Sequence, residues 1–431
     1  MPQRRRAALV AAALVAAAVT ALTALTAPAA VADTSPSTTA AAPAGARAGL
    51  YGAGDPTYDG VWRQAFAIRA VSDSGYVADE ASVGWLLKQQ CADGGWPSYR
   101  ADTAKPCAVK AEDTNATAAA VSVLLVIPGS ATIQQALNRG RQWLRTVQNA
   151  DGGWSYNPGG PSDPDSTALG LGALGHAAAT EANAHGKSPY DALRGFQFGC
   201  AAPTDDRGAF GYPDADGKLK ANAKATADAL NGMHDALLTS STSAQSTPST
   251  PQPSDCAADP KAYGKLAPQA VGQAAADWLA RQIRAGGGHL NLLTPGADTP
   301  SPDFGTTADA VTALAPYYPV EAKTAYAWLT AHGAKWAKGS PAALAQLVRA
   351  AGFLQAGRTL AGAADPLQQL IALGPGATKR ATGAQQKPAV HKKADDGGLS
   401  GRTTTWIVVG VVFVASVGVG MLLSGRRRRQ A

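Results

Sequence analysis

Apolar positions fall into three patterns along the chain, and each predicts a different kind of element. From Ala7 to Ala27 the chain is rich in Ala, Val and Leu behind Arg4, Arg5 and Arg6, and Ala30-Val31-Ala32 follows as a small-x-small site. That layout predicts a secretory signal peptide over 1–32 cleaved after Ala32, with an uncleaved signal anchor as the alternative. From Trp406 to Leu423 the chain is free of charge and rich in Val and Ile. At ~1.5 Å rise per residue this stretch covers roughly 27 Å, close to the hydrocarbon thickness of a bilayer. It predicts one transmembrane helix over 404–424. The basic tail over 425–431, with Arg426, Arg427, Arg428 and Arg429, would stay on the cytoplasmic side, leaving the bulk of the chain outside as a single-pass cell-surface protein.

The third pattern recurs. Trp85-Leu86, Trp143-Leu144, Trp278-Leu279 and Trp328-Leu329 each open a similar segment, and in the first three a Gly-Gly pair follows, ending at Trp96, Trp154 and His289. Gln90 and Gln148 stand five residues after their Trp, and a weaker copy runs from Leu193 through Phe210. A Pro/Gly/Asp-rich loop then leads to a second helix marked by Thr117-Ala118, Thr167-Ala168, Thr226-Ala227 or Thr307-Ala308. Asp113, Asp163, Asn222 and Asp303 stand four residues before each Thr, as N-caps that satisfy orphan helix N–H groups. These second helices carry small side chains, such as Ala168, Gly170, Gly172 and Ala173, which let neighbouring helices approach closely. The repeat predicts an all-α toroid of about eleven or twelve helices in two concentric layers, as a closed barrel or an open arc.

Composition shifts set the remaining boundaries. A disordered lead-in is expected over 33–56, the repeat domain over 57–373 with a disordered loop over 239–254, and a polar stalk over 374–403, because these tracts lack the apolar surface that would offset ordering. The formal net charge of +7 is matched by the three arginines before the signal core and the four after the predicted span. The repeat domain is therefore about neutral, which excludes a basic nucleic-acid footprint. Cys91, Cys107, Cys200 and Cys256 form an even set in a chain read as exported. Of three connectivities the most local pairs Cys91 with Cys107 and Cys200 with Cys256. No zinc-type spacing is present, so no metal is expected.

The segment from Arg139 to Trp154, with Gln148, Gly152 and Gly153, closely resembles the QW repeat of triterpene cyclases and protein prenyltransferase β-subunits, and 81–96 is a second match. The resemblance implies the α/α-toroid fold over about 57–373, with Gln90, Trp96, Gln148 and Trp154 as framework. It does not imply the chemistry. In triterpene cyclases the middle Asp of Asp-x-Asp-Asp-Thr-Ala protonates the substrate. Here Asp163-Pro164-Asp165-Ser166-Thr167-Ala168 lacks the fourth-place carboxylate, which leaves Asp165 without the neighbour that a strong acid needs. The zinc-binding Asp-x-Cys of prenyltransferases is absent. More distantly, the exported, disulfide-bonded toroid is similar to the α/α barrels of transcobalamin and intrinsic factor, which implies a cobalamin-like ligand.

The function expected from these features is a membrane-anchored binding protein, a receptor or transporter accessory presenting the toroid mouth to a small molecule or partner protein, and not an enzyme. A terpene-cyclase-like enzyme using Asp165 and a structural or adhesive surface protein are the alternatives. No cofactor is expected beyond a cobalamin-like ligand. Candidate ligand contacts are Tyr99, Tyr156 and Tyr212, which follow the Gly-Gly turns and could stack on an apolar ligand, together with Asp165 and His289.

Overall fold

The computed structural model describes residues 48–108, 110–175, 180–214, 216–236, 253–293 and 298–380, all within one compact unit that ends at Arg380. Among them are fourteen α-helices: α1 Gly60–Asp73, α2 Glu80–Lys88, α3 Thr114–Leu124, α4 Ala131–Thr146, α5 Pro164–Leu174, α6 Pro189–Gly195, α7 Ala223–Ala236, α8 Pro253–Ala258, α9 Pro268–Ala285, α10 Phe304–Leu314, α11 Pro319–His332, α12 Ala334–Ala337, α13 Pro341–Leu354 and α14 Pro366–Ala372. Six of them, α1, α3, α5, α7, α10 and α13, each pack on the next, and α13 returns to α1, so the inner layer is a closed ring. The helices α2, α4, α6, α9, α11 and α14 lie outside it.

The ring is locked where its two ends meet. Strand β1, Tyr76–Ala78, pairs antiparallel with Ala377–Lys379, the last of eight short strands among the described residues. Gly52 N–H donates to the Leu373 carbonyl at 2.8 Å, and the buried Tyr51 ring lies against Gly374, where a Cβ would come within 2.3 Å of it. Leu50 and Tyr51 join the buried core, so the folded ring starts before residue 57 and runs past 373.

Inner helices begin where side chains satisfy their first N–H groups. Asp113 accepts from Ala116 N–H, Asp163 from Ser166 N–H, Asn222 from Ala225 N–H and Asp303 from Thr306 N–H. Their small residues admit the turn tryptophans, for Trp154 is fully buried and sits where a Cβ on Gly170 would lie 2.8 Å from its ring. The indole N–H of Trp96 donates to the Leu86 carbonyl and that of Trp154 to the Leu144 carbonyl, at 2.9 and 2.8 Å. Two of the turns are also riveted to a neighbour by a glutamine. The Gln90 side-chain amide donates to the carbonyls of Gly94 and of Ala136 on α4. Gln197, which the sequence pattern did not single out, does the same to Gly208 and to Val271 on α9.

Hydrogen bonding also corrects the repeat alignment by one residue. The backbone N–H groups of Trp96, Trp154 and Phe210 donate to the hydroxyls of Thr117, Thr167 and Thr226. In the later copy it is Leu290, not His289, that donates to Thr307, at 3.0 Å. The run Gly286-Gly287-Gly288 carries one residue more, and His289 stacks on Trp328 with ring centroids 4.2 Å apart.

The expectation of a membrane helix is corrected. Among the described residues no helix is long and apolar enough to cross a membrane. The longest, α9, carries Asp277, Arg281 and Arg284 within 18 residues. The single-pass anchoring, the cell-surface placement and the membrane or transporter partner rested on the membrane helix and find no support among the described residues. The stretches 1–32, 404–424 and 425–431, the stalk beyond Arg380 and most of the 239–254 loop lie outside the described residues.

The cystines join Cys91 to Cys107 and Cys200 to Cys256, with Cα atoms 5.8 and 5.4 Å apart. The first ties the end of α2 to the loop before α3. Arg100 packs inside that loop, donating to the carbonyls of Lys88, Gln90, Thr103 and Lys105.

Gly152 separates two reasons for a turn glycine. It has φ +91, and a Cβ there would meet the Ser188 carbonyl oxygen at 2.3 Å, whereas Gly159 has φ +89 and nothing within 4 Å. Gly159→Ala should therefore cost only the backbone strain, about 1 kcal/mol, and Gly152→Ala should cost more, about 2–4 kcal/mol, because α6 must move away. Urea unfolding midpoints of the two variants check this order.

Candidate active site

The inner-helix caps define a common register, and side chains two and six residues after a cap share one helical face. Two after the cap stand Asn115, Asp165, Lys224 and Gly305, and six after it stand Ala119, Leu169, Asp228 and Asp309. Nearly all of them are half-buried positions on helices whose other faces are buried against neighbours, which places this face toward the inside of the ring. The ring thus gathers Asp165 from α5, Lys224 and Asp228 from α7, and Asp309 from α10 at one end of its interior.

Lys224 Nζ donates to Asp228 and lies 3.6 Å from Asp309 Oδ2. The Gln346 amide on α13 donates to Asp309 Oδ1 at 2.9 Å. Asp163 is consumed by its cap, accepting from the N–H and hydroxyl of Ser166 and from Tyr156 N–H. Asp165 differs from all of these, because its Oδ1 is buried without a hydrogen-bond partner.

Electrostatics follow from this placement. Burial, reinforced by the charge of Asp228 and opposed by Lys224, pushes the Asp165 carboxyl from an ordinary 3.8 up to about 8. A helix N-terminus contributes about 0.3–1 kcal/mol in favour of the anion, whereas a shift of this size corresponds to several kcal/mol at about 1.4 kcal/mol per unit. Burial and carboxylate repulsion therefore win, and Asp165 holds a proton at neutral pH. Burial also raises Asp228, to about 6, against the pull of Lys224. Burial would lower Lys224, but Asp228, Asp309 and Asp165 outweigh it and raise it, so it stays an ammonium.

The expectation that Asp165 lacks carboxyl neighbours is overturned, since they come from other helices and not from the next residue. Asp228 and Asp309 were missed by sequence reasoning, although Thr226-Ala227-Asp228 and Thr307-Ala308-Asp309 repeat the same three residues in two copies. Lys224 had no such signal beyond its distance from the cap.

Of the other candidates, Tyr212 lies near enough to Asp165 to feel its charge. Burial and then the carboxylates of Asp163 and Asp165 push its phenol up to about 12. Tyr156 belongs beside Asp113: its N–H donates to Asp163, burial and the Asp113 charge raise its phenol, and its side chain meets Ser98. Tyr99 stacks on Trp85 at 6.3 Å and His289 on Trp328, so neither joins the carboxyl group. On α1 the half-buried Trp62 and Phe66 stack at 4.5 Å on a face that also carries Arg69.

Among the described residues one group of donor atoms elsewhere has metal-like spacing. Cys91 and Cys107 sulfur and a Glu112 carboxylate oxygen lie within 4.8 Å of one another. Both sulfurs are spent in a disulfide, so the group offers no thiolate.

The family of the squalene-hopene cyclase C-terminal domain matches residues 40–163, less than half of the chain and ending just before Asp165. No curated relative matches. Among solved structures, a protein from Actinoplanes is 15% identical with a TM-score of 0.41, covering 71% of this chain and 93% of that one. The ent-copalyl diphosphate synthase from Streptomyces platensis is 17% identical with a TM-score of 0.42, covering 69% of this chain and 50% of that one. This chain thus spans about half the length of that synthase. At that level neither structure adds to the reading of the site. The chain resembles the squalene-hopene cyclase toroids, and nothing in these comparisons links it to transcobalamin or to a cobalamin-like ligand. The expectation of a binding protein without enzymatic function is corrected on two grounds: the matching family is a cyclase domain, and the ring interior holds a grouped set of titratable side chains.

The raised carboxyl has a consequence for stability. The pKa of Asp165 is higher folded than unfolded, so its contribution is fully present below about pH 4 and is lost as pH rises through about 8. Asp165→Asn keeps the shape without the ionisation. It should gain stability relative to the wild type between pH 4 and pH 8, on the order of 2 kcal/mol with the neighbouring charges free to readjust. Denaturant titrations at the two pH values check the sign.

Proposed function

We propose that this chain is a terpene-cyclase-like enzyme in which Asp165 protonates a carbon–carbon double bond of a linear, squalene-like polyene. The observation that carries this reading is a carboxyl that keeps its proton at neutral pH and has a buried, unpartnered oxygen, in a ring interior that also holds Asp228, Asp309 and Lys224. The likeness to a cyclase domain over 40–163 supports it.

The step is a proton transfer. The Asp165 O–H bond breaks, its proton forms a C–H bond with the electron pair of the terminal double bond, and a carbocation remains. Successive double bonds attack that cation, each forming a C–C bond. The last cation loses a proton or is captured by water, and Asp165 recovers a proton from solvent. A carboxyl raised to about 8 is a weak acid in isolation. Its driving force would come from where the positive charge develops, beside three carboxylates countered by one ammonium, an arrangement fixed before the reaction and worth far more than in water. Aromatic faces also attract cations, and Trp62, Phe66, Tyr156 and Tyr212 are the ones we assign to that wall. Tyr99 and His289 are placed by their stacking partners and are given no part in the step.

Incubation with squalene and shorter linear polyenes, followed by mass analysis of extracted product, tests the proposal. The wild type should yield cyclised product and Asp165→Asn should lose at least about 10²-fold in rate, the range associated with a positioned acid. Equal product from Asp165→Asn, or no cyclisation of any polyene, contradicts it.

A further inference from the structure

We infer that Lys224 is the positioning residue that places the proton of the site on Asp165 and keeps it off Asp228 and Asp309. The inference rests on the cyclase reading for its consequence and on geometry for its substance. Three carboxyl groups from three consecutive inner helices share one enclosure, and like charges so close cannot all ionise freely. Which one stays protonated depends on the donors each receives. Asp228 receives Lys224 Nζ. Asp309 has Lys224 Nζ at 3.6 Å and the Gln346 amide at 2.9 Å, while Asn231 holds its backbone carbonyl. Asp165 Oδ1 receives none. The ammonium therefore pins two carboxylates as anions, and the third keeps the proton.

The repeat makes this placement informative. Lys224 stands at the same distance from its cap as Asp165, Asn115 and Gly305 do in the other copies. A framework position serves a need common to every copy, as the Thr117, Thr167, Thr226 and Thr307 hydroxyls do. A residue that changes from Asn to Asp to Lys to Gly around the ring serves something else.

The charged and titratable groups around Lys224 are few enough to name. From α5 it faces Asp165, with Asp163 held by its cap bonds. From its own helix it faces Asp228, with His234 further along, held neutral by burial and stacked on Tyr317. From α10 comes Asp309. Arg349 lies a turn beyond Gln346 on α13, over the Phe66 ring. On α9, Asp277 is taken up by Gln273 and Tyr318. None of these other groups reaches Asp228 as Lys224 does.

Lys224→Met, which keeps most of the aliphatic stem and removes the charge, is the test, with Lys224→Arg and the double variant Lys224→Met/Asp228→Asn beside it. The first readout needs no substrate: carbon NMR titration of aspartate carboxyls in isotope-labelled protein. In the wild type one carboxyl should titrate above neutral pH and disappear in Asp165→Asn. In Lys224→Met the upper titration should move up by about one unit or more, as expected for loss of a close opposite charge, and a second carboxyl, Asp228, should join it. The double variant should return to a single one, on Asp165, because the unpaired anion has gone with its partner.

The second readout is kinetic, with squalene as probe. Lys224→Met should lower kcat by about tenfold with KM unchanged and move the basic limb of the profile upward, and Lys224→Arg should recover most of the rate. A Lys224→Met protein that is folded by circular dichroism, yet leaves the carboxyl titration where it was, overturns the inference. So does a double variant no different from Lys224→Met. Should no polyene react, the carboxyl titration still decides where the proton sits. Cyclisation with an unmoved titration would sink the role of Lys224 alone.

Discussion

Everything in the described part of this chain depends on closing six inner helices into a ring with little space between them. Closure requires each repeat to hold the next at a fixed angle, and the device that does so is polar. A glutamine amide donates to its own turn and to the next outer helix, as Gln90 does to Gly94 and Ala136 and Gln197 to Gly208 and Val271. A left-handed glycine lets the turn come within contact distance of the neighbouring backbone, where no Cβ would fit, at Gly94 against Arg139 and at Gly152 against Ser188. Net hydrogen bonds of this kind contribute only about 1 kcal/mol each, but leaving one unmade in a buried turn costs more. The seam between Tyr76–Ala78 and Ala377–Lys379 completes the circle.

A closed ring produces the site as a by-product of packing. Each inner helix spends three faces on its two ring neighbours and its outer partner, and the fourth is left for the interior. Residues on that face are free of the packing requirement and can differ from copy to copy. Asp165, Lys224, Asp228 and Asp309 converge because the cap, the threonine and the helix start are the same in each repeat, so equal distances along the sequence become equal depths in the ring. Burial then raises Asp165 and Asp228, and Lys224 opposes it with one charge. Sites whose carboxyls are pushed away from their ordinary values in this manner are where acid–base chemistry is concentrated.

The fold was legible because its signals are local and repeated. The Trp-Leu pairs, the Gln and Gly of the turns and the Thr-Ala starts all recur, and the caps at Asp113, Asp163, Asn222 and Asp303 bond as their residue types require. What failed did so for identifiable reasons. His289 was aligned with the turn tryptophans because equal spacing was assumed through a run of three glycines, and the threonine bond falls one residue later, on Leu290. Gln197 was hidden in a copy that has lost its Trp and its Gly-Gly pair. Closure could not be read from repeat number, since it rests on contacts between distant parts of the chain, α13 on α1 and residues 76–78 with 377–379. Asp165 was found by its motif but judged by its immediate neighbours, whereas a toroid supplies neighbours from other helices. Thr-Ala-Asp at 226–228 and 307–309 held that information, and the meaning of Lys224 emerges only once α5, α7 and α10 are side by side.

In the proposed reaction Asp165 delivers a solvent-exchangeable proton to a polyene inside the ring. Cyclisation of squalene in heavy water follows that proton, because a carboxyl equilibrated with solvent carries deuterium to the alkene carbon it protonates. The expected result is a cyclised product with a single deuterium on the protonated alkene carbon, next to the carbon that forms the first ring bond, made by the wild type and lost in Asp165→Asn. Cyclised product without deuterium at the protonated carbon, or the same labelled product from Asp165→Asn, would contradict it.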